Sequence, residues 1–157
     1  LIKDNGYTHL IKDLKFLPGV LNAIKFLKEE KYLIIVITNQ SGIARGYFKK
    51  KDVITFHQNI NKKLLKLGCY IDEFYICGCH PRYPKKNNDC KCRKPSNTML
   101  VKAVKKWSLN KKNIIMIGDK LSDKLSAKKT NIKFFYKSRK INLYSQVKKI
   151  LKNNNFK

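Results

Sequence analysis

The sequence predicts an α/β protein with a mainly parallel sheet covered by helices on both faces, and three observations carry that prediction. Short apolar runs of strand character alternate with stretches whose apolar residues recur at helical spacing. Strands separated by helices need crossover connections, which go with parallel pairing. Thr38-Asn39-Gln40, a cysteine-rich loop and Gly118-Asp119 each follow directly on a strand-like run, where open α/β sheets gather their binding groups.

Taken in order, Val20, Ile24 and Leu27 lie at helical spacing behind Pro18-Gly19, and Tyr32 to Ile37 reads as a buried strand. A long helix is expected over about Lys51 to Leu67, with Val53, Phe56, Ile60 and Leu64 on one face. Glu73 to Cys77 is a second strand, followed by an irregular loop through Pro95. A helix from about Met99 to Trp107 leads to a third strand, Asn113 to Ile117. A short helix from Ser122 precedes a fourth strand at Lys133 to Tyr136, and Leu143 to Leu151 closes the chain as a helix. With 157 residues, 43% of them hydrophobic, one domain over residues 1–157 with a single buried core is expected.

The charge balance is extreme, at +26, yet it does not point to nucleic acid. Arginine occurs only at positions 45, 82, 93 and 139, whereas nucleic-acid surfaces rely on its bidentate and stacked contacts. Abundant Lys, Asn and Ile read as a compositional bias on solvated faces. The field still attracts phosphorylated substrates, an effect that salt weakens. The longest apolar run, Tyr32 to Ile37, is too short to span a bilayer, and no signal-peptide core opens the chain. A cytoplasmic monomer with no membrane partner is the expectation.

Four segments carry chemistry. Thr38-Asn39-Gln40-Ser41-Gly42-Ile43-Ala44-Arg45-Gly46 places hydroxyl, amide and flexible backbone after a strand, which suits an anion, although Thr, Asn and Gly also make ordinary turns. Lys94 means little alone in so lysine-rich a chain, but Cys92-Arg93-Lys94-Pro95 sets it between a tethered loop and a helix start. Gly118-Asp119-Lys120-Leu121-Ser122-Asp123 puts a carboxylate at a strand terminus, where it also suits a helix cap. Cys77-Gly78-Cys79-His80 and Cys90-Lys91-Cys92 form two close pairs, enough thiolates for one tetrahedral zinc, and in a cytosolic chain metal is favoured over disulfides. Cys69 reads as a core or loop residue, and neither His9 nor His57 has a recognisable partner.

Together these strings resemble the haloacid dehalogenase superfamily phosphatases, nearest to the group acting on D-glycero-D-manno-heptose 1,7-bisphosphate and on histidinol phosphate. The resemblance implies a three-layer Rossmann-like parallel sheet with a zinc-binding loop insertion at about residues 77–95. It implies that Thr38 donates to the transferring phosphoryl group and that Lys94 offsets its charge, making these the catalytic pair. Asn39, Gln40, Ser41, Arg93 and Lys120 would contact substrate, Asp119 would hold Mg2+, and Asp123 would support it. Asp4-Asn5-Gly6-Tyr7 resembles a substrate-contacting string of the same group. The family's zinc loop usually has Cys-x-His in its first pair; here Cys79 stands at that histidine, implying Cys77, Cys79, Cys90 and Cys92 as ligands of a structural Zn2+, with His80 the alternative.

The resemblance covers the chain and runs off its front. The family's nucleophile lies in Asp-x-Asp-Gly-Thr, Leu1 aligns directly after that motif, and no Asp-x-Asp pair occurs within the sequence. The first, central strand is therefore expected to be missing, and the 157-residue polypeptide alone is expected to be inactive and poorly folded. For the intact parent the implied reaction is hydrolysis of a small phosphorylated metabolite through an aspartyl-phosphate intermediate. Heptose bisphosphate is the first substrate; histidinol phosphate, a polynucleotide 3'-phosphate and a non-catalytic zinc-binding remnant are the alternatives.

Overall fold

In the computed structural model, which describes residues 1–3, 6–83 and 90–154, Gly19 adopts a left-handed φ of 76° at the mouth of the first helix. The elements that follow are α1 (Val20–Glu29), β1 (Ile35–Asn39), α2 (Ser41–Ala44), α3 (Lys50–Leu65), β2 (Glu73–Cys77), α4 (Thr98–Lys106), β3 (Ile115–Gly118), α5 (Leu121–Thr130), β4 (Lys133–Tyr136) and α6 (Leu143–Asn154). The chain divides into two units, one comprising Leu1–Val36, Gly46–Phe74 and the segment from Ser138, the other Ile37–Arg45 and Tyr75–Lys137.

The first unit is built by helices whose apolar stripes meet. α1 buries Val20, Ala23 and Ile24, α3 buries Val53, Phe56, Ile60 and Leu64, and α6 buries Val147 and Ile150. Leu14, Cys69 and Ile71 complete the same core, so Cys69 is the packed residue the sequence suggested. Two polar devices fix the turns around it. The Asn61 carboxamide exchanges hydrogen bonds with both backbone groups of Ile71 at 2.8 and 2.9 Å. Lys28 Nζ lies 2.9 Å from both oxygens of Asp72, which also accepts from Ile34 N at 2.7 Å. At Gly19 a Cβ would stand 2.6 Å from Asn142 Oδ1, so the residue is required both by its φ and by this close approach.

In the second unit β3 pairs in parallel with β4, Ile115 opposite Lys133 through Gly118 opposite Tyr136. α5 lies on this pair and α4 packs on α5. β1 pairs with β2. Asp72 N donates to Ile34 O at one end and Gln40 N to Cys77 O at the other, so these two strands also run the same way. Both connections are crossovers through helices, as the alternation of patterns requires. Among the described residues the strands form two separate pairs, β1-β2 and β3-β4, rather than one continuous ladder.

Several element boundaries shift by one to three residues from the sequence reading, and the start of β1 does so for a local reason. β1 begins at Ile35 rather than Tyr32, because Tyr32 N closes onto Leu27 O, Lys31 takes a φ of 61°, and Ile34 N is held by Asp72. Tyr32 and Lys31 finish the turn out of α1, and Ile34 joins the β1-β2 pairing only through its carbonyl, which accepts from Asp72 N. α2, a single turn, forms inside the segment read as a polar loop.

His57, for which the sequence offers no recognisable partner, is buried in the structure, 6% exposed and stacked on Phe74 with ring centroids 4.2 Å apart. Its Nδ1 has no hydrogen-bond partner. Burial lowers its pKa from 6.5 to about 4. Between those values the unfolded chain takes up a proton that the folded chain refuses, so folding stability falls as pH drops from about 6.5 towards 4. Urea titrations at pH 7 and pH 5 are expected to differ by roughly 2 kcal/mol from this group, and His57→Phe should flatten that dependence.

Candidate active site

The second unit assembles its polar groups from strand ends and helix starts. β1 delivers Thr38 and Asn39, and Gln40 leads into α2. Gln40 folds its side chain back so that Nε2 donates to Thr38 Oγ1 at 3.0 Å, while its backbone N holds Cys77 O at 2.7 Å. Ser41, the first residue of α2, is half-buried.

Lys94 lies at the centre of the connections. Its backbone N donates to Asn39 Oδ1 at 3.1 Å and its carbonyl accepts from Asn39 Nδ2 at 3.2 Å. Its Nζ donates to Ile37 O at 2.8 Å and pairs with Asp123 Oδ1 at 2.6 Å. Both partners of this ion pair are almost wholly buried, with side chains 11% and 5% exposed. The other oxygen, Asp123 Oδ2, accepts from the backbone N of Asp119 at 3.2 Å and of Lys120 at 3.0 Å. Asp123 therefore caps α5 and neutralises Lys94 with the same carboxylate. Gly118 permits this: a Cβ there would stand 2.6 Å from the Asp123 carboxylate.

Thr38, Lys94 and Asp119 are thus tied together through Ile37, Asn39 and Asp123 in one unit. Asp119 and Lys120 are exposed at the start of α5, where the amide ends of the helix favour negative charge. One exposed carboxylate beside a helix start suits a magnesium ion, which takes one or two carboxylates and completes its shell with water and phosphate oxygens. Arg93 donates from Nη1 to Cys79 O at 3.4 Å. Gly6 and Tyr7 belong to the first unit, with φ of 77° and 56° and the Tyr7 ring edge-on to Tyr47. Asp4 and Asn5 lie outside the described residues.

The four cysteines predicted as zinc ligands come together. The sulfurs of Cys77, Cys79 and Cys90 lie within 4.8 Å of one another, and Cys79 and Cys92 are 3.5 Å apart. The structure joins them as two disulfides, Cys77 to Cys92 and Cys79 to Cys90, where the sequence reading expected thiolates. His80 stands outside the sulfur group; its Nδ1 accepts from Arg82 N at 3.2 Å. Its pKa is lowered by desolvation first and then by the charges of Arg93, Arg45 and Arg82.

Sequence reasoning missed three features here. The exchange between Asn39 and the Lys94 backbone joins positions 55 residues apart, and no local pattern announces it. Arg45 Nη1 donates to Tyr83 Oη at 2.7 Å, linking the end of α2 to the cysteine loop. Ser126 Oγ holds Ser96 O at 2.9 Å and Thr98 Oγ1 holds Lys91 O at 2.7 Å, bracing the segment that carries Lys94. The Ser96-Asn97-Thr98 run was a legible helix-start signal for the last of these.

The family model described as polynucleotide kinase 3 phosphatase matches residues 3–152. The chain belongs to this family of phosphatases. Within it, the chain is 37% identical over 121 residues to the D-glycero-beta-D-manno-heptose-1,7-bisphosphate 7-phosphatase of Haemophilus influenzae, covering 76% of this chain and 66% of that protein. It is 38% identical over 120 residues to the D-glycero-alpha-D-manno-heptose-1,7-bisphosphate 7-phosphatase of Campylobacter jejuni, with coverages of 76% and 66%. The chain thus spans about two thirds of the length of these relatives. Among solved structures, a D,D-heptose 1,7-bisphosphate phosphatase from B. bronchiseptica, complexed with magnesium and phosphate, superposes with a TM-score of 0.75 at 21% identity, over 90% of this chain and 87% of that one. A HAD-like phosphatase from Mesorhizobium loti gives 0.76 at 29% identity, over 83% and 64%. The haloacid dehalogenase-like α/β fold expected from the motifs is therefore the fold of this phosphatase.

In this phosphatase, removing one partner of the buried ion pair strands the other. Asp123→Ala is expected to destabilise the fold by about 3–5 kcal/mol, and adding Lys94→Met should recover most of that loss; thermal or urea unfolding of the single and double variants checks both. Gly118→Ala should act in the same direction by displacing the Asp123 carboxylate from the amides of Asp119 and Lys120.

Proposed function

We propose that this phosphatase is a magnesium-dependent phosphoric monoester hydrolase whose substrate is D-glycero-D-manno-heptose 1,7-bisphosphate, with residues 1–157 belonging to one phosphatase domain that they do not complete. The observation that carries the reading is the buried attachment of Lys94 to both the Thr38 strand end and the Asp119 helix start. An ammonium fixed in this way is preorganised against the negative charge that gathers on a transferring phosphoryl group. Thr38 Oγ would donate to the same group, and Gln40 orients that hydroxyl. The amide end of α5 adds a positive pole. Asp119 would hold Mg2+, which supplies charge neutralisation on the phosphate when bound. Arg93 and Lys120 would contact the remainder of the substrate. Since no Asp-x-Asp pair lies within the 157 residues, the attacking carboxylate would come from outside them.

The substrate follows from the relatives, which carry the heptose bisphosphate name at 37–38% identity. Phosphate release from heptose 1,7-bisphosphate, histidinol phosphate and a 3'-phosphorylated oligonucleotide separates the three chemistries. The measurement needs the protein with Asp-x-Asp-Gly-Thr joined ahead of Leu1. Turnover of the sugar bisphosphate at least tenfold above the other two is expected, with activity lost on chelation of magnesium and restored by adding it back. Preference for the oligonucleotide would overturn the substrate assignment.

For the four cysteines the reading is a structural Zn2+. A tetrahedral zinc thiolate has Zn–S bonds of about 2.3 Å, hence sulfur separations of about 3.8 Å. Cys77 and Cys79 at 3.3 Å and Cys79 and Cys92 at 3.5 Å approach that edge length, and the Cys77–Cys92 and Cys79–Cys90 pairs would have to be reduced and part to a similar separation to hold the ion. Such a site would tether the loop carrying Arg93 and Lys94 rather than take part in the reaction. Purified protein is expected to contain about one zinc per chain and to expose alkylatable thiols on unfolding with a chelator. A metal-free protein with those cysteines refractory to alkylation until reduced would establish the disulfides instead.

A further inference from the structure

We propose that Asn39 is a positioning residue for Lys94 rather than a contact for substrate, so that the strand end carrying Thr38 also sets the backbone of the loop that presents the ammonium. Asn39 was assigned by resemblance to the substrate pocket. In the structure both functional groups of its carboxamide engage one peptide neighbourhood, with Oδ1 accepting from Lys94 N at 3.1 Å and Nδ2 donating to Lys94 O at 3.2 Å. The same reciprocal device occurs at Asn61 and Ile71, where its role is to fix a turn, so the fold uses it as a backbone clamp.

The clamp has a purpose at this position. Lys94 sits in a segment without regular structure between Cys92 and the start of α4, where its neighbours are held by Arg93 on Cys79 O, Ser96 N on Arg93 O, Thr98 on Lys91 O and Ser126 on Ser96 O. A lysine side chain has four rotatable bonds, and its ammonium can swing by several ångströms when its Cα is loose. Asn39 fixes the Cα end, while Ile37 O and Asp123 fix the ammonium end. Both Asn39 and Ile37 lie on β1, adjacent to Thr38 on either side. Alternation along the strand therefore places the Thr38 hydroxyl and the clamp on successive residues, and motion of one is motion of the other.

The inference rests on the phosphatase reading only for the ligand; the clamp itself has an independent measurement. Hydrogen exchange of the 157-residue chain should show the Lys94 amide protected, with protection falling on the order of tenfold or more in Asn39→Ala while the β3-β4 and α5 amides keep theirs. An unprotected Lys94 amide in the parent, or loss spread over the whole second unit, overturns the clamp. Binding of inorganic phosphate in the presence of magnesium, measured on the protein with Asp-x-Asp-Gly-Thr joined ahead of Leu1 as the parent, then tests its consequence. Lys94→Ala and Asn39→Ala should each weaken phosphate, and the double variant should be no weaker than Lys94→Ala alone, because the second change acts only through the first. Additive losses would mean that Asn39 contacts the anion itself and would overturn the assignment. Absence of phosphate binding in the parent would instead refute the phosphatase reading and leave the clamp to be judged by exchange.

Discussion

The buried pair of Lys94 and Asp123 is the constraint around which the second unit is arranged. Taking an ammonium and a carboxylate out of water is expensive, and the two recover that cost only when their remaining donors and acceptors are also satisfied. Here they are. Lys94 Nζ has the Ile37 carbonyl as its second partner, and Asp123 has the amides of Asp119 and Lys120. Ile37 lies within β1 while Asp119 and Lys120 lead into α5, so the pair can form only when β1, the loop before α4 and the start of α5 have arrived together. A side chain linked to two elements at once also has little freedom to relax, which is what an electrostatic catalyst requires.

The cysteine loop and the polar segment after β1 belong to the same economy of position. Gln40 holds Cys77 by a backbone bond, Gly78 lacks a side chain where Ile43 would meet it at 2.9 Å, and Arg45 reaches Tyr83. Three contacts of different kinds thus seat the loop on α2. Cys92 lies two residues before Lys94, so whatever joins the four sulfurs also fixes the approach to the ammonium. A tether there and a clamp at Asn39 restrain one short segment from both sides.

Much of this was legible in the residues. Glu73 to Cys77 and Lys133 to Tyr136 were placed as strands to the residue, because each is a compact apolar and aromatic run bounded by polar turns. The apolar stripe of α3 emerged at Val53, Phe56, Ile60 and Leu64, since helical spacing must face a core. The start of β1 was misplaced because Tyr32 to Ile34 carry strand-like side chains, while their backbone groups are claimed by Leu27 and Asp72. His57 had no recognisable partner because lysines surround it in sequence; Phe74, seventeen positions on, is the ring it stacks against.

By itself, then, the sequence determined which segments are strands and helices, which strings bear the phosphatase resemblance, and that four cysteines would share one loop. These are local properties, set by periodicity, turn chemistry and short spacings. Only the tertiary structure decided that the strands pair as β1-β2 and β3-β4, that Asp123 shares its two oxygens between Lys94 and the helix start, and that Asn39 grips the Lys94 backbone. Apart from the local bonds of Asp123 to the helix start, those choices join positions 18 to 55 residues apart, and a hydrogen bond between such positions depends on where packing brings the chain, not on which residues stand beside each other in it.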